Sequence, residues 1–186
     1  MPPAARPVML EGMTIETLPA TGIYVLDSER TTIRCDCKAL MGLLTVHGTF
    51  RLNAGRVRIC GDLAGCTVTA SVAAGSYASG NGTRDEHVLS ARLLDAASYP
   101  EITFTGAGTR AGDDGAGWVV PGSVTAHGTT QPVDVHVTEA RLEGGTVRFR
   151  ATATLDRLSF GITSMKVRVG RTVNLVIDAV GVPPGS

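Results

Sequence analysis

The chain has no excess of either charge, no long apolar run and no cluster of histidines, and each absence removes a class of function. Lysine plus arginine and aspartate plus glutamate both number 17 in 186 residues, so there is no basic field of the kind that holds nucleic acid. No run approaches the ~20 apolar residues of a membrane-spanning helix. The first 20 residues carry four prolines, and their longest apolar run is Val8-Met9-Leu10, short of the ~7–15-residue core of an export signal. A flexible extension over 1–20, a single domain over 21–183 and a cytoplasmic location are the expectation.

Metal and nucleotide chemistry are equally thinly represented. Cys35, Cys37, Cys60 and Cys66 are spaced C-x-C and C-x5-C, with no histidine within a few residues, which is not a zinc pattern. In a reducing compartment these thiols act as small hydrophobes. Gly80-Asn81-Gly82-Thr83 is not followed by Gly-Lys-Ser/Thr, so it is not a phosphate loop. The expectation is no cofactor, no metal and no catalytic residue.

What the chain does have is alternation with period two, which places one residue set on a single face of a strand. In 66–76 that set is Cys66, Val68, Ala70, Val72 and Ala74, and in 146–157 it is Val147, Phe149, Ala151, Ala153 and Leu155. Val173, Leu175, Ile177 and Ala179 repeat the pattern, as do Leu44, Val46, Gly48, Phe50 and Leu52. Shorter runs put Ile33, Cys35 and Cys37, and Val133, Val135 and Val137, on the dry face. Cys60 falls on the opposite parity. Asn53-Ala54-Gly55, Asp113-Asp114-Gly115 and Glu143-Gly144-Gly145 read as turns between strands. Half-wet antiparallel strands must cover their dry side, and about eight of them close into a barrel without edges.

The inward set is rich in small residues, among them Gly48, Ala70, Ala74, Gly122, Ala126, Ala151 and Ala153. Two readings follow: space for an apolar ligand, or relief of crowding where the barrel tapers or a helical segment plugs it.

One stretch, Asn81 to Phe104, interrupts the strands. Thr83 with Glu86 reads as a capping box and Asp85 as a charge at the positive end of a helix dipole. Leu89 and Leu93, four apart, would share a face, and Asp95 can start a second turn. Pro100 then sends the chain into Glu101-Ile102-Thr103-Phe104. The reading is a short helical insertion near residues 83–98. Within it Arg84 and Asp85 are taken to cap the helix or tie it to the rim, and Asp156-Arg157 to form a local salt bridge at a strand end. His47, His127 and His136 fall outward by parity.

These residues carry a resemblance. The stretch GNGTRDEHVLSARLLDAASYPEITF, with VHGTF at 46–50, GSVTAHGTTQPV at 122–133 and LDRLSFGI at 155–162, resembles the YceI-like family over roughly Gly22 to Val182. The resemblance implies an all-β, antiparallel, lipocalin-like barrel around a long apolar channel, holding a polyisoprenoid or another long acyl or alkyl chain, often in a homodimer. Many relatives carry a Lys-His pair where this chain reads Cys37-Lys38-Ala39-Leu40-Met41-Gly42, so no role for that imidazole transfers. Val88 stands where leucine is common.

The expected function is non-catalytic binding, transport or sequestration of such a lipid. The expected channel lining is Phe50, Val68, Ala70, Val72, Phe104, Phe149, Ala151, Leu155, Leu175 and Ile177. Two alternatives stay open: an enzyme using His87 or His127 with a neighbouring carboxylate on a hydrophobic substrate, and a structural barrel with a filled core.

Overall fold

A computed structural model describes residues 20–113, 117–164 and 169–185. The expected N-terminal extension lies outside them except for Ala20, and so do positions 114 and 115 of the expected Asp113-Asp114-Gly115 turn. In chain order the strands are β1 (Gly22–Leu26), β2 (Thr32–Ala39), β3 (Leu44–Phe50), β4 (Leu52–Ile59) and β5 (Thr67–Ala73). A helix, α1 (Gly82–Leu89), precedes β6 (Glu101–Ala107) and the two-residue β7 (Arg110–Ala111). Then come β8 (Trp118–Ala126), β9 (Thr129–Glu143), β10 (Thr146–Asp156) and β11 (Val169–Val182). Every pairing is antiparallel.

The sheet closes because two of its strand positions are each filled by two segments laid end to end. β1 and β2 share one edge of β11: Leu26 faces Gly181, and further along Thr32 faces Asp178 and Ala39 faces Val169. β3 then pairs β2 and β4 pairs β1. With β7 a short outlier on β8, the strands make a closed barrel of eight positions. The jog between β1 and β2 is held locally, since the Asp27 carboxylate accepts from the backbone N–H groups of Glu29 and Arg30. The Thr31 hydroxyl, buried behind it, accepts from Val180 N at 3.2 Å.

Several local expectations need correction. Asn53-Ala54-Gly55 is not a turn but part of β4, where a shift of register between Leu52 and Ala54 marks a bulge against β5. A bulge tolerates the residues that a turn does and bends the strand without ending it. His127 is not in a strand: with Gly128 it forms the two-residue turn between β8 and β9, φ being 50° and 71°, as a type I′ hairpin requires. Leu44 opens β3 beyond the wall and is 48% exposed rather than inward.

The helix starts earlier and ends sooner than the sequence suggests. Asn81, not Thr83, is its cap, its side chain accepting from Arg84 N at 3.0 Å. An asparagine oxygen in an extended residue meets the free N–H groups best, and it lies two residues upstream of the expected box. Asp85 accepts from both the backbone N–H and the hydroxyl of Ser79, at 2.9 and 2.6 Å, and so ties the helix to the chain entering it. At the other end the Ser90 hydroxyl donates to His87 O at 2.7 Å, and Leu94 N reaches back to Val88 O. Leu93 therefore lies past the helix and shares no helical face with Leu89. A turn does begin at Asp95, whose carbonyl accepts from Ser98 N and Tyr99 N.

Connections alternate between two ends of the barrel. One end gathers 40–43, the helical segment 74–100, the turn 127–128 and residues 157–164; the other gathers 60–66, 108–113 and 144–145. At the helical end Tyr77 folds inward over Gly48, so close that a β-carbon on Gly48 would stand 2.3 Å from its ring. The same ring packs on Phe50, centroids 5.3 Å apart. A glycine under an aromatic ring here lets the helical segment seat on β3. Gly48→Ala should lower stability by about 1–3 kcal/mol through overpacking. In urea unfolding, Gly48→Ala combined with Tyr77→Ala should cost less than the two single changes added; strict additivity would mean that the ring and the glycine do not share space.

Candidate functional site

An ordinary domain of this size has one contiguous core. This barrel instead has two clusters on opposite walls. Leu93, Val124, Ala126, Val133, Ala153, Phe160 and Ile162 form one; Leu26, Ile33, Leu52, Val57 and Ala179 form the other. Between them runs a channel of about 1150 Å³, beyond the ~300–1,000 Å³ usual for small-molecule pockets. It extends from Cys60, Leu63 and Trp118 at one end to Val88, Arg157 and Val169 at the other.

Phe50, Val68, Ala70, Val72, Phe104, Phe149, Ala151, Leu155, Leu175 and Ile177 stand along its wall. Nine of them are only half-buried, Ala151 being the exception. A side chain that alternates inward yet keeps exposed surface faces an opening rather than a neighbour. The outward positions of the same strands hold Thr69, Arg148, Arg150, Thr152 and Thr154, so polarity is outside and apolarity inside, the reverse of a lipid-facing barrel. No helix among the described residues is long and apolar enough to cross a membrane.

The two readings of the small inward residues are each realised at different places. Gly122 lies under the Phe104 ring, where a β-carbon would meet it at 2.5 Å, and Gly48 lies under Tyr77. There the missing side chains make room for the protein's own rings. Ala70, Ala151 and Ala153 face the channel itself and widen it. Tyr77, Trp118, Leu93 and Leu94 also line the channel and were missed. Only Trp118, opening a strand, had a periodic signal; the others come from the irregular segment after β5.

Arg157 departs most from expectation. It does not pair with Asp156, which instead accepts from Arg171 at 2.6 and 2.8 Å and caps the following turn through Leu158 N. The Arg171 contact holds the Asp156 carboxyl below its usual range. Arg157 turns inward, is 6% exposed, and donates to four backbone carbonyls: Gly170 at 2.8 Å, Ser164 and Val169 at 2.9 Å, and Ile162. The planar fork of a guanidinium suits such a task because it holds several donors in fixed directions. It staples the chain leaving β10 to the start of β11 and borders the channel.

Cys35, Cys37 and Cys66 line the channel as their parity implies; Cys60 does too, contrary to its parity, because it lies just past the end of β4 where alternation no longer applies. All four are free thiols. Burial, aided by the Asp36 charge, pushes the Cys35 thiol up to about 11. Burial also raises Cys37, opposed in part by the Arg157 charge. Tyr77 is pushed up to about 12, again chiefly by burial. No group of three or more His, Cys, Asp or Glu among the described residues could hold a metal ion.

No histidine is among the described residues lining the channel. His47 meets Asp36 at 2.7 Å, but on the outer wall, and the His47 side chain is 64% exposed. His127 packs on Tyr99, ring centroids 4.9 Å apart, with Nδ1 3.3 Å from Phe160 O. His136 is exposed and His87 half-buried on the helix. His87 and His127, the two imidazoles that the enzyme alternative would use, do not border the channel.

Comparison with known proteins places this geometry among relatives. The YceI-like domain description matches residues 24–181. A UPF0312 protein of Pseudomonas putida is 31% identical over 169 residues, 86% of this chain and 85% of its own. One from Vibrio cholerae is 31% identical over 150 residues, 76% of this chain and 78% of its own. In fold, the chain is similar to BcnA of Burkholderia cenocepacia, with a TM-score of 0.74 and 20% identity over 83% of this chain and 98% of that one. It is also similar to a polyisoprenoid binding domain from Saccharophagus degradans, with a TM-score of 0.65 and 16% identity over 87% and 98%.

The buried thiol and phenol give the barrel a pH signature. Both ionise at higher pH when folded than when unfolded, so the folded state retains protons that the unfolded chain releases. The contribution is fully present below the unfolded thiol value and fades as pH rises toward about 11 for Cys35 and about 12 for Tyr77. Urea midpoints should therefore fall from pH 9 upward, and Cys35→Ala should flatten the early part of that fall. An unchanged slope in Cys35→Ala would show that the thiol is not held neutral by the wall.

Proposed function

We propose, from the premise that this chain belongs to the YceI-like family, that the barrel carries or sequesters a long, polyisoprenoid-like lipid without altering it. The observation that supports this most is the channel, about 1150 Å³ between two separated cores. A chain laid in it is held at roughly 0.8 kcal/mol per buried methylene, without directional contacts. Along β11 the lining runs from Val169 to Ala179, roughly 30 Å of strand at about 3.3 Å per residue, which suits a long ligand rather than a compact one.

The polyisoprenoid binding domain of like fold supports the same class of cargo. The non-catalytic reading is supported by the histidine positions and by a lining in which aliphatic and aromatic side chains dominate. A homodimeric assembly, implied by the resemblance, and a cytoplasmic location belong to the same reading.

Ala70 and Ala151 face the channel from different strands, so Ala70→Trp and Ala151→Trp should each obstruct it. Native mass spectrometry of freshly purified protein should show a bound lipid in the parent and a loss of at least ten-fold in either variant. Thr69→Trp, on the outer face, should leave the lipid in place. Equal lipid in all four proteins would sink the proposal, and the same spectra give the mass of the assembly.

A further inference from the structure

The loop between β2 and β3 is built to display apolar side chains. Its sequence is Leu40-Met41-Gly42-Leu43, running into Leu44, and its exposures are 55% for Leu40, 85% for Met41, 88% for Leu43 and 48% for Leu44. Leu40, Met41 and Gly42 take left-handed φ values of 49°, 57° and 91° in succession. Two non-glycine residues in that region cost about 1–2 kcal/mol each, and the curled tip turns their side chains away from the barrel. Adjacent large aliphatic residues exposed in this way mark a surface that meets something apolar.

We infer that this loop docks the helical end of the barrel onto an anionic phospholipid bilayer, with Met41 and Leu43 entering the boundary between headgroups and acyl chains. Shape favours a bilayer: the patch is a protruding tip, which a fluid interface can admit without a matching groove. Charge agrees with it. Lys38 immediately precedes the loop, and its ammonium donates to the Thr45 hydroxyl at 2.9 Å without an ion pair among the described residues. No acidic residue occurs from Cys37 to Phe50, and Asp36, just before that stretch, meets Arg34 and His47.

Position supplies the third argument. Ala39 pairs with Val169 at the base of the loop, and Val169, Cys37 and Val46 all line the channel. A tip inserted here brings the channel mouth to the surface where long apolar lipids reside. The docking itself stands on the loop's exposure, while its service to lipid exchange rests on the cargo reading above.

The test uses the full chain with sucrose-loaded vesicles of phosphatidylcholine alone or of phosphatidylcholine with one quarter phosphatidylglycerol, at low salt. The parent should sediment with the anionic vesicles and markedly less with the zwitterionic ones. Met41→Asp with Leu43→Asp should weaken that binding at least ten-fold, and Lys38→Ala on the order of five-fold, since one basic residue near such a surface contributes about that factor. Both sites are exposed, and an unchanged thermal midpoint checks the fold; Met41→Trp adds a direct readout, a blue shift of its added emission on contact with anionic vesicles.

Failure of the parent to sediment with either vesicle, or unaltered binding by the double variant, overturns the inference. So does a shift of the double variant from dimer to monomer in light scattering with vesicle binding intact, which would make the loop a self-association face. Lipid retention by mass spectrometry is read in parallel: the loop variant should keep its lipid and Ala70→Trp should keep its vesicle binding, so each proposal can fail without the other.

Discussion

The long strand β11 is the constraint on which the rest depends, because it joins β10 on one edge to both β1 and β2 on the other. On one edge it pairs β10 from Asp156–Thr172 to Val147–Gly181; on the other it takes β2 and then β1. Without it the sheet would have two open edges and an apolar face with nothing to cover it. The start of β11 is correspondingly well secured. Arg157 grips the carbonyls of Val169 and Gly170, and Arg171 pairs with Asp156 across the β10–β11 seam. The exposed Arg171–Asp156 pair contributes modestly, whereas the four carbonyls on Arg157 would each lose a donor together.

Closure at eight positions also fixes the size of the interior, and side chains then decide whether it is filled. Eight strands give a lumen that large side chains can just occupy. Here the lining includes Ala70, Ala151, Ala153 and Ala179, and the Tyr77 and Phe104 rings sit over Gly48 and Gly122 along the wall. The core therefore divides in two, and many inward aliphatic residues keep part of their surface. Much of the hydrophobic contribution that a filled barrel would draw from its centre is left for a ligand to supply. A cargo that binds only the folded chain would stabilise it by mass action, which links stability to occupancy.

Much of this was legible in the sequence, for a definite reason. Period-two alternation is a direct consequence of strand geometry, so Val68, Ala70 and Val72, or Ala151 and Leu155, could be assigned to one face before any coordinates. Parity fails where strands begin, end or bulge: Leu44 stands above the rim, Cys60 lies past β4, and Asn53-Ala54-Gly55 continues a strand through a bulge. The helix was legible as a helix, but competition between two capping residues two apart was settled by the chain entering it, where Ser79 and Asp85 bind each other. Arg157 was illegible because its partners are carbonyls, which every residue has, and only the fold decides which of them converge. Tyr77 was missed for a related cause, since its place over Gly48 joins two segments that no local pattern connects.

The polar groups of the channel determine what kind of selectivity it can have. Thr31 accepts from Val180 N, and Arg157 directs four N–H bonds at its own backbone. Cys35 and Cys37 are kept as neutral thiols by burial, weak donors at best. Strong discrimination by hydrogen bonding needs buried groups that go unpaired when the wrong ligand binds, and these four residues are already satisfied or weak. Choice among apolar chains then falls to the dimensions of the lumen, where one methylene more or less is worth about 1 kcal/mol or somewhat more. On the function proposed above, a vessel of this kind would sort its cargo by length and girth, with the alanines that widen it setting the upper limit.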